Sequence, residues 1–438
     1  MKKSKFNIFR KINNDEQVIF NSFSLALAKV NKGFSRFYDE IEKIDANNLN
    51  KQQKEFYDSM LDANFIISNN TDEIKDLEFL RLRAIADTNA FGLVIYPTLA
   101  CNFDCYYCYQ KNKTGILKKK AQEKILELIK HHSEKKTNIS VEWFGGEVLL
   151  AFDIVSDMSQ KIINICKKNK VKYYTSMVSN GYLFTDDIIK KMKSYKIEKV
   201  QVTLDGPPAI HNKRRILKNT KEGTFDEIIK NIKKLKKNNI RVSIRVNVNK
   251  DFNIDSLLQL TKILEKNGLI KNNFYIAQEC DSDSRNKSCM NEGCLSDEGF
   301  AKLNLEFCKK LHNLGLKELY EHYYPKVSFN FCETTRFNSI SIDPEGYLYK
   351  CRKDVGMPEK AVGNILDNNT YNEIFFNNNV KYMTWNPFKY KKCLECNILP
   401  ICSGNCPELG IANGEPQCIE WKYNIEDLID AIALFKMK

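Results

Sequence analysis

The sequence predicts an α/β protein: a partial barrel of six parallel strands, with a small α+β module before it and a loop-rich, cysteine-bearing region after it. Three observations lead there. From Phe91 onward the apolar runs GLVIYPTL, ISVEWF, YYTSMVS, EKVQVTL, RVSIRVNV and NFYIAQ alternate with helical segments such as KKKAQEKILELIKHH and FDEIIKNIKKLKK. Strand then helix, repeated, implies parallel pairing through right-handed crossovers and places the chemistry at the C-terminal strand ends, as in a (β/α)6 fragment of a TIM barrel. The fifteen cysteines are the second observation: none precedes Cys101, a trio stands there, and apart from Cys166 the rest follow residue 279. Third, no linker rich in Pro, Gly or Ser interrupts the block. The expected divisions are residues 1–90, 91–278, a bridging loop and helix over 279–325, a cysteine domain over 326–425, and a terminal helix over 426–438.

Composition sets the class. Of 438 residues, 28% are charged and 43% hydrophobic, enough to pack two or three domains and too apolar for intrinsic disorder. Collagen, coiled-coil and low-complexity architectures are excluded. The start, MKKSKFNIFRKINNDEQ, is basic but lacks the apolar core of a secretory signal, and no run approaches the ~18 uncharged residues of a membrane span. This reads as a cytoplasmic chain without a membrane partner. In that reducing compartment, cysteines point to metal or redox chemistry rather than disulfides. The formal charge of +13 favours acidic peptides. The lysine-rich stretch 230–241 fits the outer face of an amphipathic helix, so nucleic acid is not expected as a partner.

Residues 1–90 alternate short apolar segments (FNIF, QVIF, SLALAKV) with the helix-like FSRFYDEIEKI. After the first strand of the repeating block comes Cys101-Asn-Phe-Asp-Cys105-Tyr-Tyr-Cys108. Three thiolates on one short loop can hold three corners of a 4Fe-4S cube and leave one iron open for added chemistry; a zinc site is the alternative.

This C-x3-C-x2-C spacing, with Tyr107 before the last cysteine, resembles the radical S-adenosylmethionine superfamily. The resemblance implies that S-adenosylmethionine chelates the open iron and that its reductive cleavage yields a 5′-deoxyadenosyl radical, which takes hydrogen from unactivated carbon. Trp143-Phe-Gly145-Gly146-Glu147-Val148 resembles the family's GGE-P motif, with valine in place of proline; its glycines would let backbone approach the cofactor's amino group. Ser179-Asn180-Gly181 and Thr203-Leu-Asp205-Gly206-Pro207 end the third and fourth strands, where similar proteins contact the cofactor. Arg245 and Asn247 lie two apart on the fifth strand and share a face, so an inward Arg245 could pair with the cofactor carboxylate.

The second cysteine pattern is Cys332-x13-Gly346-x4-Cys351, then Cys393-x2-Cys396-x5-Cys402-x3-Cys406-x11-Cys418. It resembles the SPASM extension of these enzymes, which carries two auxiliary 4Fe-4S clusters, for three in all. The family pattern assigns Cys393, Cys396, Cys402 and Cys418 to one cluster and Cys332, Cys351 and Cys406 to the other. No cysteine shortly precedes Cys332: either Cys294 or Cys308 folds in from upstream, or that cluster keeps an open iron able to bind a substrate thiolate. The first ninety residues then suggest the winged-helix-like element with which such enzymes capture a leader peptide as an added strand. The expected activity is therefore that of a peptide maturase closing a Cys thioether on a ribosomal precursor, with reduced flavodoxin or ferredoxin as electron donor. Carbon-carbon crosslinking, formylglycine formation on sulfatases and a noncatalytic metal-binding adaptor are the alternatives. Cys280, Cys289 and Cys294 read as unligated loop thiols, Cys166 as core, and His131 and His132 as solvent-facing.

Overall fold

The computed structural model describes all residues except 13–15, 88, 111–112, 136–137, 271–272, 280–292, 317–323, 331, 368–370 and 437–438. Cys280 and Cys289 thus lie outside the described residues. The chain forms two compact units. The first gathers residues 1–85, 297–332 and 386–438; the second, residues 86–296 and 333–385.

In the first unit, strands β1 (Lys2–Lys3), β2 (Asn7–Lys11), β3 (Glu16–Asn21), β4 (Leu27–Asn31) and β5 (Ile66–Ile67) make two small sheets. β1 pairs with β5, and β2-β3-β4 is an antiparallel meander with Ile8 opposite Phe20 and Ile19 opposite Ala28. β3 reads EQVIFN, and its β-branched and aromatic side chains suit a half-covered sheet. The helix Lys32–Asp39 starts where the Asn31 side chain accepts from the Phe34 N–H, and Lys51–Asp62 starts with a capping box between Asn50 and Gln53. Both helices lay aromatic and aliphatic side chains on the sheet: Phe34, Tyr38, Tyr57 and Met60 join Ile19, Val30 and Phe65 in one core. Each such burial is worth roughly 1.5–3 kcal/mol. Later in the chain, helix Asp297–Asn313 runs against Trp421–Lys436, where Asn424 Nδ2 donates to the Ala301 carbonyl at 2.7 Å. Arg10 ties β2 to that last helix through Glu426 at 2.6 Å and Asp430 at 2.7 Å.

The second unit holds one nine-stranded sheet. Its strands are β6 (Ala90–Ile95), β7 (Asn138–Trp143), β8 (Tyr173–Ser179), β9 (Lys199–Thr203), β10 (Arg241–Val248), β11 (Asn273–Gln278), β12 (Ser339–Ile342), β13 (Tyr347–Tyr349) and β14 (Gly363–Asn364). Across the sheet the order is β11-β10-β9-β8-β7-β6-β12-β13-β14. The six strands from β6 to β11 are parallel and stand in chain order, as the alternating pattern implies. The helices between them carry one apolar stripe each; Phe225–Lys237 buries Ile228, Ile229, Ile232 and Leu235 and turns its lysines to water. Cys166 is core. His132 corrects an expectation: its ring stacks on Phe91 at 3.6 Å between centroids and is half-buried, with its pKa lowered by that burial. The extension of the sheet by β12, parallel to β6, and then by antiparallel β13 and β14 has no counterpart in the strand runs read from the sequence.

Candidate functional site

The site lies in the second unit, at the C-terminal ends of the parallel strands. β6 ends at Ile95 and releases the loop that carries Cys101, Cys105 and Cys108. Cys105 is buried and the other two are half-buried. Burial pushes the Cys101 thiol up to about 12 and raises Cys105, while Cys101 feels the charge of both of its partners. A metal or cluster bound by Cys101 and Cys105 must displace the thiol protons, so its binding is expected to release protons. Among the described residues no three His, Cys, Asp or Glu side chains close on a single ion. A cube spreads its thiolates over different iron atoms, so convergence on one point is not required of its ligands.

The glycine loop after β7 fixes this cysteine loop. A Cβ on Gly145 would stand 2.3 Å from the Thr98 carbonyl oxygen, and one on Gly146 the same 2.3 Å from that of Ala100. Backbone therefore lies on backbone: Gly146 N donates to Thr98 O at 3.2 Å and Glu147 N to Ala100 O at 2.8 Å. Glu147 itself is fully buried. Its carboxylate accepts from Asn180 N at 2.7 Å, Ser179 Oγ at 2.9 Å and Leu149 N at 3.0 Å. Burial raises its pKa against those bonds. The carboxylate thus pins the β8 terminus, and Asn180 carries the link onward, donating to Asn102 Oδ1 at 2.8 Å and lying 3.9 Å from Cys101 Sγ.

At the β9 and β10 ends, Asp205 has no solvent exposure and serves as a hub. Its Oδ1 accepts from the Asn247 N–H at 3.0 Å, and its Oδ2 accepts from the Tyr107 hydroxyl. The Asp205 N–H donates to His211 Nδ1 at 3.1 Å. His211 Nε2 therefore carries the proton and donates to Thr224 Oγ1 at 3.0 Å, and Thr224 donates to the Arg215 carbonyl at 2.7 Å. Burial drives the His211 pKa far down, so the ring is neutral.

Two buried arginines, neither singled out by sequence patterning, complete the site. Arg215 Nη1 donates to the Tyr107 hydroxyl at 2.7 Å. Burial opposes its charge, but Tyr107, Cys105 and Asp205 outweigh that and hold its pKa above the ordinary value. Its Nε is buried and has no hydrogen-bond partner among the described residues. Arg214 is ion-paired with Glu279 and donates to Tyr106 Oη at 2.7 Å. The only sequence signal for the pair is their place in the segment after Asp205-Gly206-Pro207.

Of these groups, Tyr107, Cys108, Arg215, Asn247 and Glu279 open onto a cavity of about 660 Å³. Its wall includes Tyr107, Cys108, Arg215, Arg245, Asn247 and Arg352. Arg245 and Asn247 do share a face, and Arg245 Nε donates to Asn247 Oδ1 at 2.8 Å. Arg352, beside Cys351, is ion-paired with Glu142 and with Glu333. The wall is basic and studded with hydroxyl and amide groups. Together with the orphaned Arg215 Nε and the thiol trio, it fits a cofactor that brings a carboxylate beside a metal cluster.

The remaining cysteines divide between the units. Cys393, Cys396, Cys402 and Cys418 all belong to the first, and each of them perturbs or is perturbed by others of the four: Cys393 by Cys396 and Cys418, Cys402 by Cys418 and Cys393. Burial lifts the Cys393 thiol to about 11 and the Cys402 thiol to about 12. Cys332 and Cys406 lie in the first unit and Cys351 in the second. Cys308 is fully buried on its helix, and Cys294 is buried in the second unit.

Comparison with known proteins agrees with this geometry. Residues 95–264 match the model of the Radical SAM superfamily. The chain is 25% identical over 349 residues to a cysteine-type anaerobic sulfatase-maturating enzyme of Clostridium novyi, covering 72% of this chain and 88% of that one. It is 24% identical over 437 residues to the radical SAM cyclopropyl synthase TigE of Paramaledivibacter caminithermalis, covering 92% and 86%. It is also similar in fold to the solved structure of Streptococcus suis SuiB bound to its precursor peptide SuiA. The TM-score there is 0.54 at 16% identity, over 96% of this chain and 98% of that one.

Proposed function

We propose that this chain, which belongs to the radical SAM superfamily, is a cytoplasmic peptide maturase that modifies a ribosomally made precursor and closes a Cys thioether. The observation that carries the reading is the thiol trio on a loop clamped by the glycine turn, with Cys108 at the rim of a basic cavity. In this reading Cys101, Cys105 and Cys108 hold a 4Fe-4S cluster, Arg215 meets the carboxylate of S-adenosylmethionine, and Tyr107 and Asp205 orient that arginine. Gly145 and Gly146 bring backbone to the cofactor's edge, with Glu147, Ser179 and Asn180 fixing that edge from behind. Arg245 and Asn247 line the same cavity as Arg215, and Arg245 offers the cofactor carboxylate a second cation. When bound, the cluster and cofactor together supply the hydrogen-abstracting radical. The chain's own part is to align that chemistry with one carbon and exclude water.

Cys393, Cys396, Cys402 and Cys418 would close an auxiliary cluster, and Cys332, Cys351 and Cys406 would hold another with one iron left for the substrate sulfur. That makes three cubes. The relatives named for sulfatase maturation and cyclopropyl formation, and the fold neighbour named with its precursor peptide, support a peptide substrate.

A groove in the first unit supports capture of a leader. It has a volume of about 260 Å³ and is lined by Leu27, Ala28, Val30, Phe34, Phe56 and Met60. Among the described residues β4 pairs within its sheet only with β3, which leaves its other edge for an added strand. A sulfatase-type formylglycine reaction is the second reading, favoured by the Clostridium novyi relative.

Anaerobic reconstitution tests the assignment. About twelve irons per chain are expected from three cubes. Replacing Cys101, Cys105 and Cys108 by Ala should remove about four of them and abolish S-adenosylmethionine cleavage. Cleavage surviving that change would sink the reading. Ala28→Glu, in the groove, should weaken processing of a leader-bearing peptide at least tenfold and leave peptide-independent cofactor cleavage unchanged; equal loss of both would point away from a leader site.

A further inference from the structure

The cavity of the second unit is polar where a barrel is usually greasy, and it holds more positive charge than one cofactor carboxylate uses. Along β9 and β10 alternate side chains line it: Gln201 stands opposite Ser243, and Thr203 opposite Arg245. The residues between them, Val200, Val202, Val242 and Ile244, are buried on the other face. Barrel interiors are ordinarily filled by layers of branched aliphatic side chains, so a lumen lined in this way is shaped to receive polar groups.

Five cations reach the wall, Lys199, Arg215, Arg245, Arg352 and Lys353, against two carboxylates, Glu142 and Glu279. Both carboxylates already have partners: Glu142 pairs with Arg352, and Glu279 with Arg214. Arg352 also holds Glu333 at 2.5 Å, so its charge is fully engaged. Arg215 and Arg245 suit the cofactor carboxylate. Lys199, the first residue of β9, is exposed and hydrated. That leaves Lys353, which is half-buried and has no hydrogen bond or ion pair among the described residues.

A neutral donor shares that side of the cavity. Tyr109 lines it, and its hydroxyl has no hydrogen-bond partner among the described residues. Tyr109 is close enough to Arg352 and Cys351, the two residues before Lys353, to feel both of their charges, and burial keeps its phenol protonated. An ammonium and a phenol are donors without a competing anion, the pairing that a carboxylate accepts from. The bound groups would not consume this charge. An oxidised cube on three thiolates carries a net negative charge, and S-adenosylmethionine an equal positive one, so the two cancel.

We infer that Lys353 and Tyr109 form a carboxylate subsite, so that the peptide taken into this cavity carries an Asp or Glu side chain beside the residue that reacts. The inference rests on the peptide-maturase reading and names the kind of peptide. The subsite binds and orients; no bond is made or broken there.

The test uses the full-length, reconstituted protein with S-adenosylmethionine and no reductant, so that binding is measured without turnover. The probes are three synthetic glycine heptapeptides around a single cysteine, differing only in Glu, Gln or Lys two residues after it, titrated by calorimetry. The Glu peptide should bind about tenfold more tightly than the Gln peptide, the effect of one charge-assisted contact, and the Lys peptide should bind most weakly. Lys353→Gln should erase the preference for Glu over Gln, and Lys353→Arg should retain it. Tyr109→Phe keeps the cation and should narrow the preference to about threefold. Equal affinity for the Glu and Gln peptides in the wild type, or a preference that survives Lys353→Gln, overturns the subsite and leaves the peptide-maturase reading standing. Binding of none of the three peptides removes that reading and the subsite with it.

Discussion

Gly146→Ala is the sharpest probe of how the site is held. The added methyl would stand 2.3 Å from the Ala100 carbonyl oxygen, 2.4 Å from that of Leu99 and 2.6 Å from the Ala100 carbonyl carbon. All three are backbone atoms, and the contacts fall roughly 1 Å short of van der Waals separation. No side chain can rotate away, so the cysteine loop itself must shift. Overpacking of this kind costs about 1–3 kcal/mol. The shift also strains the bonds from Gly146 N to Thr98 O and Glu147 N to Ala100 O, each worth about 1 kcal/mol. A total of about 3 kcal/mol corresponds to a fall of roughly 6–12 °C in the melting temperature of a unit of this size. Because the displaced backbone leads into Cys101, iron retention should fall as well. The control is Gly414→Ala, where φ is +73° and nothing lies within 4 Å; there only the left-handed conformation is penalised, by about 1 kcal/mol. Differential scanning calorimetry and iron analysis read both outcomes. A Gly146→Ala protein that melts within 2 °C of the wild type, as ~2 °C is below 1 kcal/mol, and keeps its iron would refute the clamp.

Three further outcomes follow from the same network. Tyr107→Phe removes the hydroxyl that bridges Asp205 and Arg215; leaving two buried charged groups short of a partner should cost roughly 2–3 kcal/mol in urea denaturation and weaken S-adenosylmethionine binding. Tyr96→Phe should do the opposite, because the Tyr96 hydroxyl is fully buried without a hydrogen-bond partner among the described residues: stability should rise by about 1 kcal/mol, and a clear loss would reveal a partner for that oxygen. His211 sets a pH dependence. Its folded pKa lies well below the ordinary value near 6.5, so below that pH the unfolded chain binds a proton that the native one refuses. Its contribution to stability is complete above pH ~6.5 and is lost as the pH falls through that value, by at most ~1.4 kcal/mol per unit. Urea titrations at pH 7.5 and pH 5.5 should show a smaller acid loss in His211→Gln than in the wild type; equal losses would place the titration elsewhere.

Much of this was legible in one dimension, because strand runs of period two and helical stripes are local signals. The six parallel strands in chain order and the buried isoleucines of Phe225–Lys237 follow directly from them. The thiol trio was legible because ligands of one cluster share one loop. Two kinds of feature were not. Arg214 and Arg215 look like part of a basic helix end, and only burial against Asp205, Glu279 and Cys105 separates them from surface lysines. The glycines of the 145–146 turn read as a place where backbone nears the cofactor; that residues 98–100 also fill the space a side chain would take is a contact between segments that no periodicity encodes. His132 was misjudged for the same reason: its place at a helix end does not reveal the aromatic ring of Phe91 that covers it.

The position of β12 constrains how the molecule is made. β6, the strand that launches the metal-binding loop, gains its second neighbour only when Ser339–Ile342 arrives, more than two hundred residues later in the chain. On a ribosome adding 5–20 residues per second, that interval lasts roughly 12–50 s. Throughout it the nascent sheet presents an unpaired border of backbone amides and carbonyls, open to pairing with a stray chain. Such late closure predicts slow folding and a dependence on chaperones during expression. It also orders assembly, since a truncated product ending before residue 339 would expose β6 even with all three thiols of the first loop in place.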